Sequence, residues 1–369
     1  MAEGRVTFRS SVLTVPRLGR VEVVTPAPRD VWTALAAADP GAQPTQLPQW
    51  LDCVVASGGG TDASRLLRLG DGRQILVPAV AAGLPGTEWV VRGWPHGWGY
   101  GGALTCDGVL RPDDARLVLA RPRRPGTLWS TLTPSPWHGE VYEQVAPSML
   151  GRTRVQTQVV DLDGGADAVW SRFRHAGRTS VRKAERAGLE ITCGTGPEQL
   201  AAFGQLYRAS ERRWAADRGQ PEPLARVLSR YRDRVRHVEL VVRALPEVCT
   251  LWVARHEGRA VAANVVLIHG AHALGWLSGT DPELSRRTQG SSLLHWRTFV
   301  DAAERGARFF DLGESEPGSA VARYKAQFGA FPLEYTTYTR DPFRLLGAGR
   351  ALRGAGVSVL ARRAAARRT

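Results

Sequence analysis

The sequence is poor in lysine, in clustered cysteine and in long apolar runs. Of 49 basic residues only Lys183 and Lys325 are lysine; the other 47 are arginine. The four cysteines, Cys53, Cys106, Cys193 and Cys249, lie far apart. That spacing suits neither a disulfide scaffold nor a Cys-x-x-Cys metal knuckle. No apolar run approaches the roughly 18–20 residues of a bilayer span, and the N-terminal stretch lacks the continuous apolar core of a secretory signal. These absences predict a cytoplasmic chain with reduced thiols and no bound metal. Several catalytic signatures are also missing: there is no Gly-x-Ser-x-Gly elbow, no Walker loop and no His-Glu-x-x-His. His269-Gly-Ala-His272 has no third ligand nearby in sequence and reads as core or surface histidine.

What is present is an ordinary globular composition with an unusual charge. Hydrophobic residues make up 43% and charged residues 23% of 369, enough chain for two domains. The formal net charge is +14, which favours polyanionic partners such as nucleic acid, nucleotide phosphates or an anionic membrane face. The arginine-for-lysine skew, with abundant Ala and Gly, equally fits codon drift in a GC-rich genome.

Two segments resemble each other. Arg65–Val80 and Leu251–Val266 both read as strand, Gly-containing turn, strand, and helical sequence precedes each. The pattern predicts a tandem duplication of one α/β unit. Three segments follow from it: 20–158 as the first domain, 159–340 as the second, and a basic helix or tail over 341–369. That tail carries seven arginines against Asp341. In the second half one helix is expected from Ala166 through Trp170, Phe173 and the basic stretch Arg178–Arg186, with helices over 197–217 and 224–236. A loop over Thr280–Gly290 should lead into a helix over Ser291–Arg305.

Four clusters carry candidate chemistry. Arg287-Thr-Gln-Gly290-Ser291 enters a helix, where free N–H groups and the positive end of the macrodipole suit a pyrophosphate; a capped helix with solvated arginines is the plainer reading. Asp311-Leu-Gly-Glu314 is followed by Tyr324-Lys325, and Lys325 offers a compact charge for a developing oxyanion or phosphate. Arg178, Arg182 and Arg186 share a helical face beside Lys183, and three like charges there cost stability unless an anion bridges them. Trp94, Trp98 and Tyr100 lie among glycines in a loop that either lines a substrate cleft or is merely structural.

The motifs Arg178-x-x-x-Arg182-Lys183-Ala-Glu-Arg186-x-Gly188, Gly258-Arg259-x-Val261-Ala262, Asp311-Leu-Gly313 and Tyr324-Lys325-Ala-Gln-Phe-Gly-Ala330 occur in that order. Together they resemble the Fem-type (FemAB-like) branch of the GNAT acyltransferase superfamily and the related BioF2-like acetyltransferase domains. Gln46-Leu-Pro-Gln-Trp50 resembles that family's early Gln-x-x-x-Trp segment. The resemblance is clearest over about residues 160–340. It implies an α/β (α+β) fold of tandem duplicated GNAT-like domains, each a mixed, mostly antiparallel sheet flanked by helices. It also implies amide formation: an amine attacks an activated acyl group, with no covalent enzyme intermediate and no bound cofactor. The acyl donor is a co-substrate, either aminoacyl-tRNA or acyl-CoA, and the acceptor an amine-bearing small molecule or peptide.

By the same resemblance Lys325 falls at the reacting ester and stabilises the oxyanion, and Tyr324 positions the donor. Arg178 and Arg182 fall near the substrate cleft and, with Arg287, hold phosphates. Asp311, Glu314 or Glu316 accepts the amine proton. Trp50 is followed by Leu-Asp-Cys-Val-Val-Ala, without the lysines that peptidoglycan-bridge enzymes carry there, which points away from a nucleotide-linked muropeptide acceptor. Three functions stay open: aminoacyl transfer from charged tRNA, acyl transfer from CoA, and non-catalytic binding of an anionic polymer or, through the basic tail, of lipid headgroups.

Overall fold

In the computed structural model residues 8–84, 86–120, 126–221 and 233–341 are described. The expected tail over 342–369 and most of the expected helix over 224–236 lie outside the described residues.

The first half runs β1 (Arg9–Val15), β2 (Gly19–Thr25), α1 (Arg29–Ala38), α2 (Pro48–Ala56), β3 (Thr61–Asp62), β4 (Arg65–Leu69) and β5 (Gln74–Val77). It continues through β6 (Val80–Ala82), β7 (Val90–Arg92), β8 (Leu104–Thr105), α3 (Pro112–Ala120), β9 (Trp129–Leu132), α4 (Gly139–Val145) and β10 (Gly151–Asp161). The second half runs α5 (Gly165–Arg172), α6 (His175–Arg186), β11 (Glu190–Gly194), α7 (Pro197–Asp217), α8 (Arg234–Ala244), β12 (Cys249–His256), β13 (Arg259–His269) and β14 (His272–Thr280). It ends with α9 (Pro282–Thr288), α10 (Gly290–Glu304), β15 (Phe309–Glu314), α11 (Ala320–Ala326) and β16 (Phe331–Arg340).

Both expected hairpins form: β4 pairs with β5 and β12 with β13, each antiparallel around a left-handed glycine, Gly72 and Gly258. Their fates differ at one residue. Pro78 has no N–H for a ladder, and the strand breaks there into β5 and β6, which belong to different sheets. Its counterpart β13 runs unbroken over 11 residues.

The larger sheet has the order β11-β12-β13-β14-β15-β10-β16-β9-β7-β6-β3. The parallel neighbours in it are β14 with β15 and β7 with β9. These pairs flank the central antiparallel pair β10–β16, whose register runs from Gly151↔Thr339 to Val159↔Phe331. The last strand of each half therefore pairs across: β10 with β15 of the second half, and β16 with β9 of the first. The expected boundary at residue 158 lies inside β10. The smaller sheet, β1-β2-β4-β5-β8, packs with α3, α4 and Tyr338 of β16 around a core of Val21, Leu67, Ile75 and Tyr142. The second half's sheet is covered on one face by α5, α6 and α10, around Phe173, Phe299, Phe310 and Phe328. A second core joins α7 and α8 to α1, α2 and the loop after β7, around Trp32, Trp50, Trp98 and Phe203.

Two expectations are corrected. The single helix through 166–186 is two helices. Phe173 takes an extended conformation (φ −63°, ψ 138°) and buries its ring against Trp296, Phe299 and Phe328. The expected loop over Thr280–Gly290 is largely α9, whose first turn is capped by the Asp281 carboxylate accepting from the Glu283 and Leu284 N–H groups.

The crossed strands make cutting the chain informative. A chain cut in the turn at Asp163–Gly164 should yield two fragments that fail to fold alone, because β10 loses both neighbours, yet co-elute in size exclusion when expressed together. Two separately stable monomers would contradict the exchange.

Candidate functional site

β14 and β15 lie in parallel register over His272–Leu274 and Phe309–Asp311 only, although both strands continue, to Thr280 and Glu314. Two local features part them. The β13–β14 register shifts so that Trp276 is an extra residue on β14. On β15, Gly313 takes a left-handed φ of +83°, and its N–H donates to Asp311 Oδ1 at 2.6 Å. Beyond Asp311 the β14 edge facing β15 has backbone groups not paired to it. An extended ligand carrying amides can add there as a strand does.

The residues at this opening come from both halves. Asp311 is 7% exposed, and its carboxylate accepts from Thr157 of β10, from the Tyr100 hydroxyl at 2.8 Å and from the Gly313 N–H. Burial raises its pKa against the pull of those donors and of Lys325. Lys325 on α11 is 8% exposed, and its ammonium donates to the carbonyls of Gly313 at 2.8 Å and Glu314 at 2.9 Å. An ammonium has three N–H bonds, so one remains for a ligand. Burial lowers the Lys325 pKa to about 8, with Asp311 and Glu314 pulling it back up. The exposed Glu314 carboxylate accepts from Tyr335 of β16 at 2.7 Å. Glu316 is exposed on the following loop.

Tyr324, one step along α11, points elsewhere. Its ring packs on Phe328 and His295, and its buried hydroxyl lies beside Ser292 without closing a hydrogen bond. It thus faces the first turn of α10, whose residues Gly290 and Ser291 were expected to meet a phosphate. Gly290 is set by packing: a Cβ there would lie 2.8 Å from Val261 Cγ1. Ser291 shares a 2.7 Å hydrogen bond with Ser285 of α9, and Arg287 is exposed in the last turn of α9.

Arg178, Arg182 and Arg186 have protein partners of their own and need no bridging anion. Arg178 Nη1 donates to the Phe173 carbonyl at 2.7 Å and the Ser171 carbonyl at 3.4 Å, closing the end of α5. Arg182 lies over the Trp170 ring at 5.8 Å. These contacts relieve the repulsion without a ligand. Arg182, Lys183 and Arg186 remain exposed. α6 nonetheless lies beside the site, since Gly177 approaches the end of α11 so closely that a Cβ would sit 2.5 Å from the Gln327 carbonyl.

The expectation that Trp94 and Trp98 line a cleft is also corrected. They are 4% and 2% exposed. Trp94 donates to the Tyr100 carbonyl at 2.8 Å, and Trp98 packs among Trp50, Trp276 and His237. Tyr100, 3% exposed, meets no open surface either; it reaches Asp311. Thr157, Tyr335, Trp276 and His295 escaped sequence reasoning. The Gln-Thr-Gln run inside β10 was the one signal available, a polar residue where the strand should bury an apolar one. His295, held at a pKa of about 4 by burial and by Lys325, shares a 3.3 Å contact with Asn264. Among the described residues no group of His, Cys, Asp and Glu could hold a metal ion, and no helix is long and apolar enough to cross a membrane.

The parallel strands β14 and β15 thus part with a buried carboxylate, Asp311, and a buried ammonium, Lys325, at the fork. Residues 171–326 match the acetyltransferase (GNAT) domain family, a span that holds Asp311 and Lys325, and the protein is an acyltransferase. The structure of FemX is similar to it at a TM-score of 0.58, with 11% identity over 87% of this chain and 98% of that one. A conserved protein of unknown function from Bacteroides thetaiotaomicron is similar at a TM-score of 0.51, with 11% identity over 84% and 95%. The fold is thus shared with FemX. No curated protein matches the sequence.

The two lysines allow a direct check of the site's electrostatics. Competitive labelling with acetic anhydride, read by peptide mass spectrometry, should give Lys325 a midpoint near pH 8, with Lys183 as internal reference. Asp311 favours the charged amine, so Asp311→Asn should move that midpoint lower. A midpoint that stays or rises would contradict the coupling.

Proposed function

We propose that the protein transfers an aminoacyl group from charged tRNA to an amine, forming an amide. The observation that carries this reading is the Lys325 ammonium, held at the fork of β14 and β15 by two carbonyls with one N–H uncommitted. The attacked ester carbonyl develops negative charge as the amine adds, and a fixed donor that meets the charge only in the tetrahedral state lowers that barrier. Two hydrogen-bonded carbonyls keep the ammonium from reorienting. The acceptor amine must lose a proton, and the ribose oxygen of the tRNA takes one up as the ester C–O bond breaks and it leaves; Asp311 and Glu314 are the carboxylates at the fork, and Glu314 is the one open to solvent. Tyr324 meets the donor only indirectly, by supporting the first turn of α10.

The exposed Arg182, Lys183 and Arg186 on α6, next to α11, favour tRNA as the donor. They offer a solvated positive face adjoining the site, suited to a phosphate backbone. A second reading, acyl-CoA as donor, is favoured by the parted strands, since the pantetheine arm carries amides that suit the open edge of β14. Its pyrophosphate would then meet Gly290, Ser291 and Arg287.

Equilibrium binding of total charged tRNA, against the same tRNA deacylated and with acetyl-CoA as competitor, decides between them. Preference for the charged form is the expected result, with affinity falling steeply as salt rises. Equal binding of both forms, displaced by CoA, would overturn the tRNA reading. With the donor so identified, Lys325→Ala should slow transfer by roughly 10²–10³ while the chain stays folded. Full turnover in that variant would remove Lys325 from the reaction.

A further inference from the structure

The two parallel strand pairs of the large sheet are equivalent positions in the two halves, β14 with β15 and β7 with β9. In the second half the strands part and leave an opening. In the first half the register is Val90↔Trp129 to Arg92↔Thr131, and the strands part at the same place in the pattern. The chain itself then fills the gap. The loop 93–102 starts with the Gly93 N–H donating to the Thr131 carbonyl and returns with the Gly101 N–H donating to the Thr133 carbonyl, both at 2.9 Å. Gly102, at a φ of +88°, passes so close that a Cβ would lie 2.9 Å from Pro134 Cα.

This loop is held from both halves. From the first half, Thr45 donates to the Tyr100 carbonyl at 2.8 Å, Gln46 to the Gly101 carbonyl at 3.0 Å, and Trp50 to the Trp98 carbonyl at 3.1 Å. From the second half, Arg234 donates to the carbonyls of His96 at 2.7 Å and Gly97 at 3.3 Å, and Trp276 to the Gly97 carbonyl at 3.0 Å. Gly97 sits at a φ of +81°, which L side chains rarely adopt, and a Cβ there would press on the Arg234 guanidinium. The same Trp276 is the extra residue that helps part β14 from β15. At the end of the loop, the Tyr100 hydroxyl meets Asp311.

We propose that the loop 93–102 closes the first half's own inter-strand opening and delivers Tyr100 as a positioning residue to Asp311, so that the chain has one acyl-transfer site assembled from both halves. The inference rests on the reading of the β14–β15 fork as the transfer site. Asp311 is faced by Tyr100 from the loop, Thr157 from β10, Gly313 and Glu314 from its own strand, Lys325 from α11 and Tyr335 from β16. Among these the Tyr100 hydroxyl and the Thr157 hydroxyl stabilise the carboxylate and fix its direction without adding charge. Removing the Tyr100 hydroxyl leaves one carboxylate oxygen short of a donor in a buried site, which favours the protonated acid.

The test uses the full chain carrying aspartate labelled with ¹³C at the carboxyl, Asp311 being assigned as the resonance absent from Asp311→Asn. In Tyr100→Phe the Asp311 midpoint should rise by about one to two pH units, the equivalent of a lost hydrogen bond to a charge. A packing role alone would lower the melting temperature and leave the midpoint in place; an unchanged midpoint in a folded Tyr100→Phe chain overturns the positioning role. Titration of the wild-type chain with acetyl-CoA and with total charged tRNA should show one donor per chain. Two equivalents would overturn the closure of the first half's opening. Failure of both donors to bind sinks the donor readings above, and the Asp311 midpoint still decides the role of Tyr100.

Discussion

The exchange of β10 and β16 across the centre of the large sheet is the constraint on which the rest of the molecule depends. Each half ends in a strand whose hydrogen-bond partners lie in the other half. Backbone groups left without such partners in a buried sheet cost about 1–3 kcal/mol each, so neither half can close its sheet alone. The exchange also carries Thr157 on β10 to Asp311, and Tyr335 on β16 to Glu314. The fold and the site are therefore held by the same two strands.

The buried carboxylate and ammonium at the fork illustrate how burial and hydrogen bonding oppose each other. Removing Lys325 from water disfavours its charge, and two carbonyls together with Asp311 and Glu314 restore part of it, leaving a pKa of about 8. Asp311 meets the same penalty and is held by three donors and by the cation. Burial and specific charge partners perturb both groups, and groups perturbed in this way cluster at functional sites.

The two halves of the chain put their parallel strand pairs to unequal use. In the second half the parallel strands part and stay open; in the first the loop of Trp94, Trp98 and Tyr100 lies in the gap. Glycines make this close fit feasible, since Gly97 lies against the Arg234 guanidinium and Gly102 against the Pro134 backbone. Aromatic residues among glycines had suggested a ligand-stacking surface, and the same composition serves equally well for a loop packed into its own protein.

Much of the fold was legible in the sequence, because it rests on local pattern. The two hairpins were marked by alternating apolar residues about Asp71-Gly72 and Glu257-Gly258, and the helix expected over Ser291–Arg305 forms over Gly290–Glu304. What the sequence could not convey was direction and distance. The break at Phe173 comes from a ring buried between helices remote in sequence, and Arg178 turned out to close a helix end because α5 and α6 meet at that break. Thr157, Tyr335 and the reach of Tyr100 to Asp311, 211 residues away, exist only because strands from opposite ends of the chain are neighbours in one sheet. By itself the sequence determined the two hairpins, the long helices and which side chains can bear charge. Tertiary structure alone decided which of those charges are buried together, because burial and hydrogen-bond partners are properties of packing and not of chain order.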